Sequence, residues 1–238
     1  MPTEQERKAA VRERVWATLE NTGTSPGGAH GRIPDFVGSA DAAALLATLP
    51  AWAGADALMA NPDRAQQPVR AHALVDGKLV FMAVPNLAEV KPFYRLDPRS
   101  LGPQPERAGD RHVAAQVART VAPAELPMIG LIVCGSVAVN RHGVRIGKGA
   151  GYSDLEVALL VEARRLHPAV TIVTTVHSLQ VVPDDLPRSE HDFTVDFIIT
   201  PDEVIACGRR QQPLGIDWKQ VTPEMMRTIP VLSQRPHS

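Results

Sequence analysis

One ten-residue stretch, Arg145-Ile146-Gly147-Lys148-Gly149-Ala150-Gly151-Tyr152-Ser153-Asp154, gathers the residue types that hold an anion. Glycines at alternate positions let the backbone approach a ligand closely and turn its N–H groups towards it. Arg145 and Lys148 bring positive charge to the same place, and the helix expected to follow adds the partial positive charge of its amino terminus. Together these make a phosphate cradle. It is not a Walker A loop, because no Gly-Lys-Ser/Thr closes it, and its glycine spacing is not that of a dinucleotide fingerprint. The same residues also admit a structural reading, since Ser153 and Glu156 have the spacing of a capping box that starts a helix unaided. Asp154 is either a first-turn acid favoured by the helix dipole or a metal ligand, and spacing leaves both open.

Other candidates are fewer. His177 and His191 suit either catalysis or the fixing of a loop. The histidines and the two cysteines lack zinc-ligand spacing, and no Ser–His–Asp or Cys–His nucleophile can be assembled.

The elements that must position the loop follow from periodicity. Apolar residues recur at offsets of three and four from Glu4 to Glu20, which predicts an amphipathic helix. A Gly/Pro/Ser/Thr-rich loop spans Asn21 to Gly38, and a second helix runs from Ser39 to Leu49, ended by Pro50. Ala55–Ala60 is a short strand. Val69–Val75 and Lys78–Val84 flank Asp76-Gly77 and read as a hairpin. Pro85 to Gly109 reads as a loop. Ile129–Val139 is the clearest strand, apolar enough to be buried on both faces, ahead of the glycine-rich loop. A helix over Asp154–Leu166, a strand over Val170–Val176, a short helix near Leu179–Val182 and a strand over Val195–Thr200 complete the alternation, which predicts a mostly parallel sheet covered by helices.

At 238 residues with 44% hydrophobic and 21% charged residues, the chain suits one globular domain over 1–238. A net charge of −1 without a basic patch argues against nucleic acid as a partner. No run is long and apolar enough for a membrane span or a signal peptide, so no membrane partner and a cytoplasmic address are expected.

The loop resembles the Arg-Leu-Gly-Arg-Gly-Lys-Gly-Tyr-Tyr-Asp signature of the 5-formyltetrahydrofolate cyclo-ligase (5,10-methenyltetrahydrofolate synthetase) family. The Lys8/Arg12 pair, Leu131–Ala138, Glu190-His191-Asp192 and Val195–Thr200 resemble further motifs of that family. Arg32-Ile33-Pro34, Asn61-Pro62-Asp63, Gln180-Val181-Val182 and Pro213–Ile216 bring the chain nearer to its methenyltetrahydrofolate synthase domain-containing branch. The resemblance implies a three-layer α/β fold of the NagB/RpiA/CoA transferase kind, ATP and Mg²⁺ as cofactors, a reduced folate as partner, and a monomer or weak homodimer. Carried over, Lys8, Arg12, Arg145, Gly147, Lys148, Gly149, Gly151 and Tyr152 would bind ATP, with Tyr152 against the formyl end of the folate. Lys148, Tyr152 and Arg145 would serve catalysis, and Asp154 and Asp192 would hold the metal. The chain departs from the signature at Ala150, where the family has lysine, and at Ser153, where it has a second tyrosine. The glutamate that the family uses near the folate has no clear counterpart, Gln66 or Gln67 falling closest. Three functions stay open: ATP-dependent formation of 5,10-methenyltetrahydrofolate from 5-formyltetrahydrofolate, a binding or regulatory protein that keeps the pocket without efficient turnover, or a different reaction on the same scaffold, since comparable folds serve sugar-phosphate isomerases and CoA transferases.

Overall fold

The computed structural model describes residues 2–189, 192–208, 211 and 213–233. Helix α1 (Glu4–Asn21) starts in a capping box between Thr3 and Glu6 and buries Val15, Trp16 and Leu19. The irregular segment 22–38 leads to α2 (Ser39–Leu46), which stops before the expected Leu49. Pro50 does not end it but opens α3 (Pro50–Ala53), since a proline in the first turn forfeits no hydrogen bond.

Strand β1 (Ala57–Ala60) is followed by α4 (Gln67–Val75) and β2 (Leu79–Ala83). The expected hairpin is thus a βαβ unit, with β1 and β2 parallel. Val69, Arg70, Ala73 and Leu74 are the buried residues of α4, a helical rather than an alternating set. Asp76-Gly77 closes that helix instead of a hairpin. Gly77 has φ +79°, its N–H donates to Leu74 O, and Lys78 N–H donates to Ala73 O at 2.9 Å, the two bonds of a Schellman cap.

The supposed loop 85–109 contains β3 (Phe93–Leu96), antiparallel to β2, and after α5 (Arg111–Val117) comes β4 (Arg119–Val121) on its far side. Pro92 and the charged residues around it masked that strand, and proline is tolerated at a strand's start. The long apolar strand divides at Gly135 into β5 (Ile129–Cys134) and β6 (Ala138–Asn140). There follow β7 (Arg145–Ile146), α6 (Tyr152–Glu162), β8 (Leu166–Thr175), β9 (Val181–Val182), β10 (Phe197–Ile199), β11 (Val204–Ala206), α7 (Pro223–Thr228) and α8 (Pro230–Ser233).

The main sheet has the order β11-β10-β8-β5-β1-β2-β3-β4, with its five central strands mutually parallel. A small sheet, β7-β6-β9, stands apart from it. Leu58, Ala60, Val80 and Met82 face one core with α1, α2 and α4. Ala57, Met59, Phe81 and Ala83 face the other with α6 and α8. This is the expected three-layer α/β architecture. No helix among the described residues is long and apolar enough to cross a membrane.

The order of strands sets the place of the site. From the adjacent, parallel β1 and β5, the chain proceeds to β2 on one side and to β8 on the other. A crevice therefore opens beyond the carboxyl ends of β1 and β5, where open α/β sheets bind ligands.

Candidate functional site

A cavity of about 500 Å³ occupies that crevice. Every site residue expected from the sequence borders it: Lys8, Arg12, Arg145, Gly147, Lys148, Gly149, Gly151, Tyr152, Asp154 and Asp192. They arrive from five places, one of them the segment between β9 and β10 that carries Asp192. Glu4, Lys8 and Arg12 recur every four residues along one face of α1. Arg145 belongs to β7, residues 147–151 form the loop, and Tyr152 and Asp154 open α6.

Helix α6 begins without a side-chain cap. Its N-cap is Gly151, in the left-handed conformation at φ +72°, so the Ser153–Glu156 capping box does not form. Ser153 lies inside the first turn and donates instead to Asn61 Oδ1 at 3.2 Å. With no side chain on the helix end, its first N–H groups are left for a ligand or solvent.

The cations around the cavity are partnered. Lys8 Nζ stands 2.6 Å from Asp192 Oδ2 and 2.8 Å from Glu4 Oε1. Burial works to lower the Lys8 pKa, but the bonds to Asp192 and Glu4 outweigh it and the net shift is upward, so Lys8 stays charged. Arg145 Nη2 donates to Asp154 Oδ1 at 2.6 Å, and its guanidinium lies 4.3 Å from the Phe193 ring centroid. Arg145 is fully buried, and its Nε has no hydrogen-bond partner among the described residues. Arg12 Nε donates to Gly147 O at 2.7 Å, which ties α1 to the loop. Lys148 is the freest of the four, its side chain 42% exposed and its Nζ 3.8 Å from Asp63 Oδ1.

Gly149 has φ +102°, and a Cβ there would lie 3.2 Å from Arg12 Cζ. Gly149→Ala therefore strains the backbone by about 1–2 kcal/mol and pushes Arg12 away from Gly147. If the loop cradles the phosphates of a nucleotide, the expected result is an approximately tenfold weaker Kd for that nucleotide by calorimetry. An unchanged Kd would show that this loop does not cradle the phosphates.

The fit of a nucleotide with its metal rests on these residues. Alternate glycines, an uncapped helix end and a buried, incompletely satisfied arginine suit a polyphosphate. Asp154 and Asp192 border the same cavity, and each engages a cation through one oxygen. Among the described residues no three His, Cys, Asp or Glu side chains form a metal cage. Mg²⁺ takes one or two carboxylates and completes its octahedron with phosphates and water, and two aspartates on one cavity are a donor set of that kind.

A second cavity of about 340 Å³ lies against the loop, between Leu155 and Ala158 of α6 and Pro213, Ile216, Val221 and Met225 of the C-terminal segment. It shares Gly149, Ala150 and Gly151 with the first. Phe93 and Tyr94 of β3, expected from the sequence to lie in a loop, border neither cavity. Val84, Asn86 and Leu87 border the first instead, with Asn86 and Leu87 at φ 55° and 53°.

Residues 4–201 match the 5-formyltetrahydrofolate cyclo-ligase family. The chain belongs to that family. The methenyltetrahydrofolate synthase domain-containing protein of Mus musculus is 38% identical over 94% of this chain and 62% of its own length. Its Homo sapiens counterpart is 35% identical over 94% of this chain and 60% of its own length. The chain thus spans about three fifths of these relatives. The 5,10-methenyltetrahydrofolate synthetase of Aquifex aeolicus, at 21% identity, shares the fold with a TM-score of 0.52, covering 90% of this chain and 98% of that one.

The cyclo-ligase signature leads to the cations of the cavity; the cluster of Asn61, Asp63 and Glu156 beside them was not anticipated as a site. Glu156 of α6 is 4% exposed and accepts a 2.6 Å bond from Asn61 Nδ2. Asn61 Oδ1 in turn accepts from Gly135 N–H at 2.9 Å, bridging the ends of β1 and β5. Burial, reinforced by repulsion from Asp63, pushes the Glu156 carboxyl up to about 8. Burial also raises Asp63, against the pull of Lys148 and Arg70. Gln66 is buried and donates to Thr175 Oγ1 at 3.0 Å, whereas Gln67 belongs to α4. The signal for Glu156 was a lone acid in an otherwise apolar stretch, Leu155–Val161.

His177 fixes a loop: its Nδ1 accepts from Leu179 N–H at 3.2 Å. His191 and Glu190 lie outside the described residues.

Proposed function

We propose that this chain converts 5-formyltetrahydrofolate to 5,10-methenyltetrahydrofolate at the expense of ATP. The observation that carries the reading is the meeting of Lys8, Arg12, Arg145 and Lys148 with the uncapped end of α6 around one cavity. Membership of the cyclo-ligase family supports the substrate class.

In this reaction the N5-formyl oxygen attacks the γ-phosphorus and ADP leaves. N10 then adds to the activated carbon, the carbon–oxygen bond breaks, and phosphate departs as N10 loses its proton. Such phosphoryl transfer depends on positioning and charge neutralisation. Mg²⁺, when bound, supplies charge neutralisation of the phosphate oxygens. Asp154 and Asp192 would hold it, directly or through water. Lys148 and Arg145 neutralise charge on the transferred group, Lys8 binds the outer phosphates, and Arg12 keeps the loop against α1. Tyr152, half-buried at the start of α6, faces the formyl end. The apolar cavity beside the loop gives the adenine ring a dry face, and Asn61, Asp63 and Glu156 are left for the folate.

The deciding experiment is absorbance of the methenyl product after mixing the protein with 5-formyltetrahydrofolate, with and without Mg-ATP. A signal that requires ATP is expected. A flat trace from folded protein that still binds ATP would overturn the catalytic reading in favour of the binding or regulatory one. The absence of lysine at position 150 is the specific feature on that side.

A further inference from the structure

The cavity beside the glycine-rich loop has two sides of different origin. One is α6, through Leu155 and Ala158, together with Gly149, Ala150 and Gly151 of the loop. The other comes from residues 213–225. Those residues lie beyond the stretch 4–201 that matches the cyclo-ligase family. One side of this cavity is therefore built by a part of the chain that the family match does not cover.

That segment is fastened at both ends and borders the cavity between them. Near its start Ile216 N–H donates to Glu162 Oε1 at 3.0 Å. A Cβ on Gly215 would stand 3.3 Å from Glu162 Cγ, so the chain passes close over the last residue of α6. Beyond its far end Ile229, Val231 and Leu232 are buried in the core. Local bonds stiffen the middle: Gln220 Nε2 donates to Asp217 Oδ2 at 2.8 Å, and Thr222 Oγ1 accepts from Met225 N–H at 3.1 Å.

The lining narrows what can enter. Pro213, Ile216, Val221 and Met225 meet Leu155 and Ala158 around a volume of about 340 Å³, within the range of small-ligand pockets. Leu214 borders it too and is 49% exposed, a large apolar side chain left open at the rim. A ligand that covers it removes that surface from water. Among the described residues, the charged groups on this border are all acids, Asp154, Asp192 and Asp217. A carboxylate tail would meet like charge there, whereas a neutral, flat group meets apolar surface on both sides. Gly149, Ala150 and Gly151 are shared with the first cavity, so a group attached to phosphates on the loop reaches this one directly.

We propose that residues 213–225 form a strap, added to the family's common domain, that grips the base of a nucleotide whose phosphates lie on the glycine-rich loop. Leu214, Ile216 and Val221 are its specificity-determining residues. This rests on the reading of the loop as a nucleotide site and names the part of the chain that holds the base.

The test compares Mg-ATP with Mg-tripolyphosphate, which offers three phosphates without a base, by calorimetry on the full chain. The unmodified protein should bind ATP about tenfold or more tightly than tripolyphosphate. Leu214→Ser removes apolar surface at the rim, and Ala158→Leu fills the cavity from the α6 side. Each should weaken ATP by about fivefold and leave tripolyphosphate unchanged, with a cooperative melting transition showing that the variant is folded. Equal affinity for the two probes in the unmodified protein, no binding of ATP, unchanged ATP affinity in either variant, or a parallel loss of both probes would each overturn the proposal. The two readings separate cleanly. An ATP preference that both variants reduce, without methenyl formation, sinks the cyclo-ligase activity alone. ATP-dependent turnover with equal affinity for the two probes sinks this assignment alone.

Discussion

If the chain catalyses the proposed reaction, Lys148→Ala is expected to lower turnover of 5-formyltetrahydrofolate by about 10²–10³-fold, the loss seen when one donor to a developing oxyanion is removed. The magnitude follows from what else the loop provides. Position 150 holds alanine, so Lys148 is the only ammonium group in the glycine-rich loop. Lys8 and Arg145 are each committed to a carboxylate at 2.6 Å, whereas Lys148 has only the 3.8 Å approach to Asp63. A loosely held charge moves to the transferring phosphoryl group at little cost, and that is where its removal is felt. Stability should change by less than about 0.5 kcal/mol, because an exposed side chain without close partners is being shortened. Steady-state kinetics and thermal unfolding check both halves. Unchanged kcat would exclude Lys148 from the chemistry. Adding Ala150→Lys to the variant should restore part of the lost rate.

The pairing of cations with acids around the cavity also bears on how the ligands enter. A polyphosphate arriving alone would meet Asp154 and Asp192 beside the groups that attract it. A divalent cation arriving alone would meet Lys8 and Arg145. The two together satisfy both sets, so each should strengthen binding of the other, as linkage requires.

How much of this was legible in the sequence depends on the range of the interaction concerned. Helix α1 and the glycine-rich loop are local features: a 3.6-residue period, and glycines beside basic residues. The helix forms within a residue of its expected bounds, and all ten site residues chosen from these features and from the resemblance border one cavity. The misreadings were contests between local rules. Asp-Gly next to β-branched valines favours a hairpin, yet Val69, Arg70, Ala73 and Leu74 bury one helical face and Gly77 closes it. Ser153 and Glu156 have capping-box spacing, yet Gly151 in a left-handed conformation takes the cap and sends Glu156 inwards. The cluster of Asn61, Asp63 and Glu156 was out of reach, because Asn61 meets Gly135 across 74 positions and Glu156 across 95. Only the neighbouring of β1 and β5 in the sheet brings them together.

The buried acid gives the other large expectation, a stability that depends on pH through one group. Glu156 moves from the ordinary glutamate value of 4.5 up to about 8, chiefly by burial and then by repulsion from Asp63, with Asp154 adding to it and Asn61 and Lys148 opposing. Below pH 4.5 both folded and unfolded chains hold this proton and the group has no effect. Above it the unfolded chain releases the proton while the folded chain keeps it, so stability falls as pH rises until the folded group also ionises. Within that window the slope approaches about 1.4 kcal/mol per pH unit. Glu156→Gln removes the titration and keeps an acceptor for Asn61. The variant should therefore unfold at a higher denaturant concentration than the parent near pH 8, by a margin of about a few kcal/mol. The two curves should converge as the pH falls towards 4.5. Parallel stability curves across the range would mean that Glu156 ionises in the folded protein as it does in water, and that the cluster it forms with Asn61 and Asp63 is open to solvent.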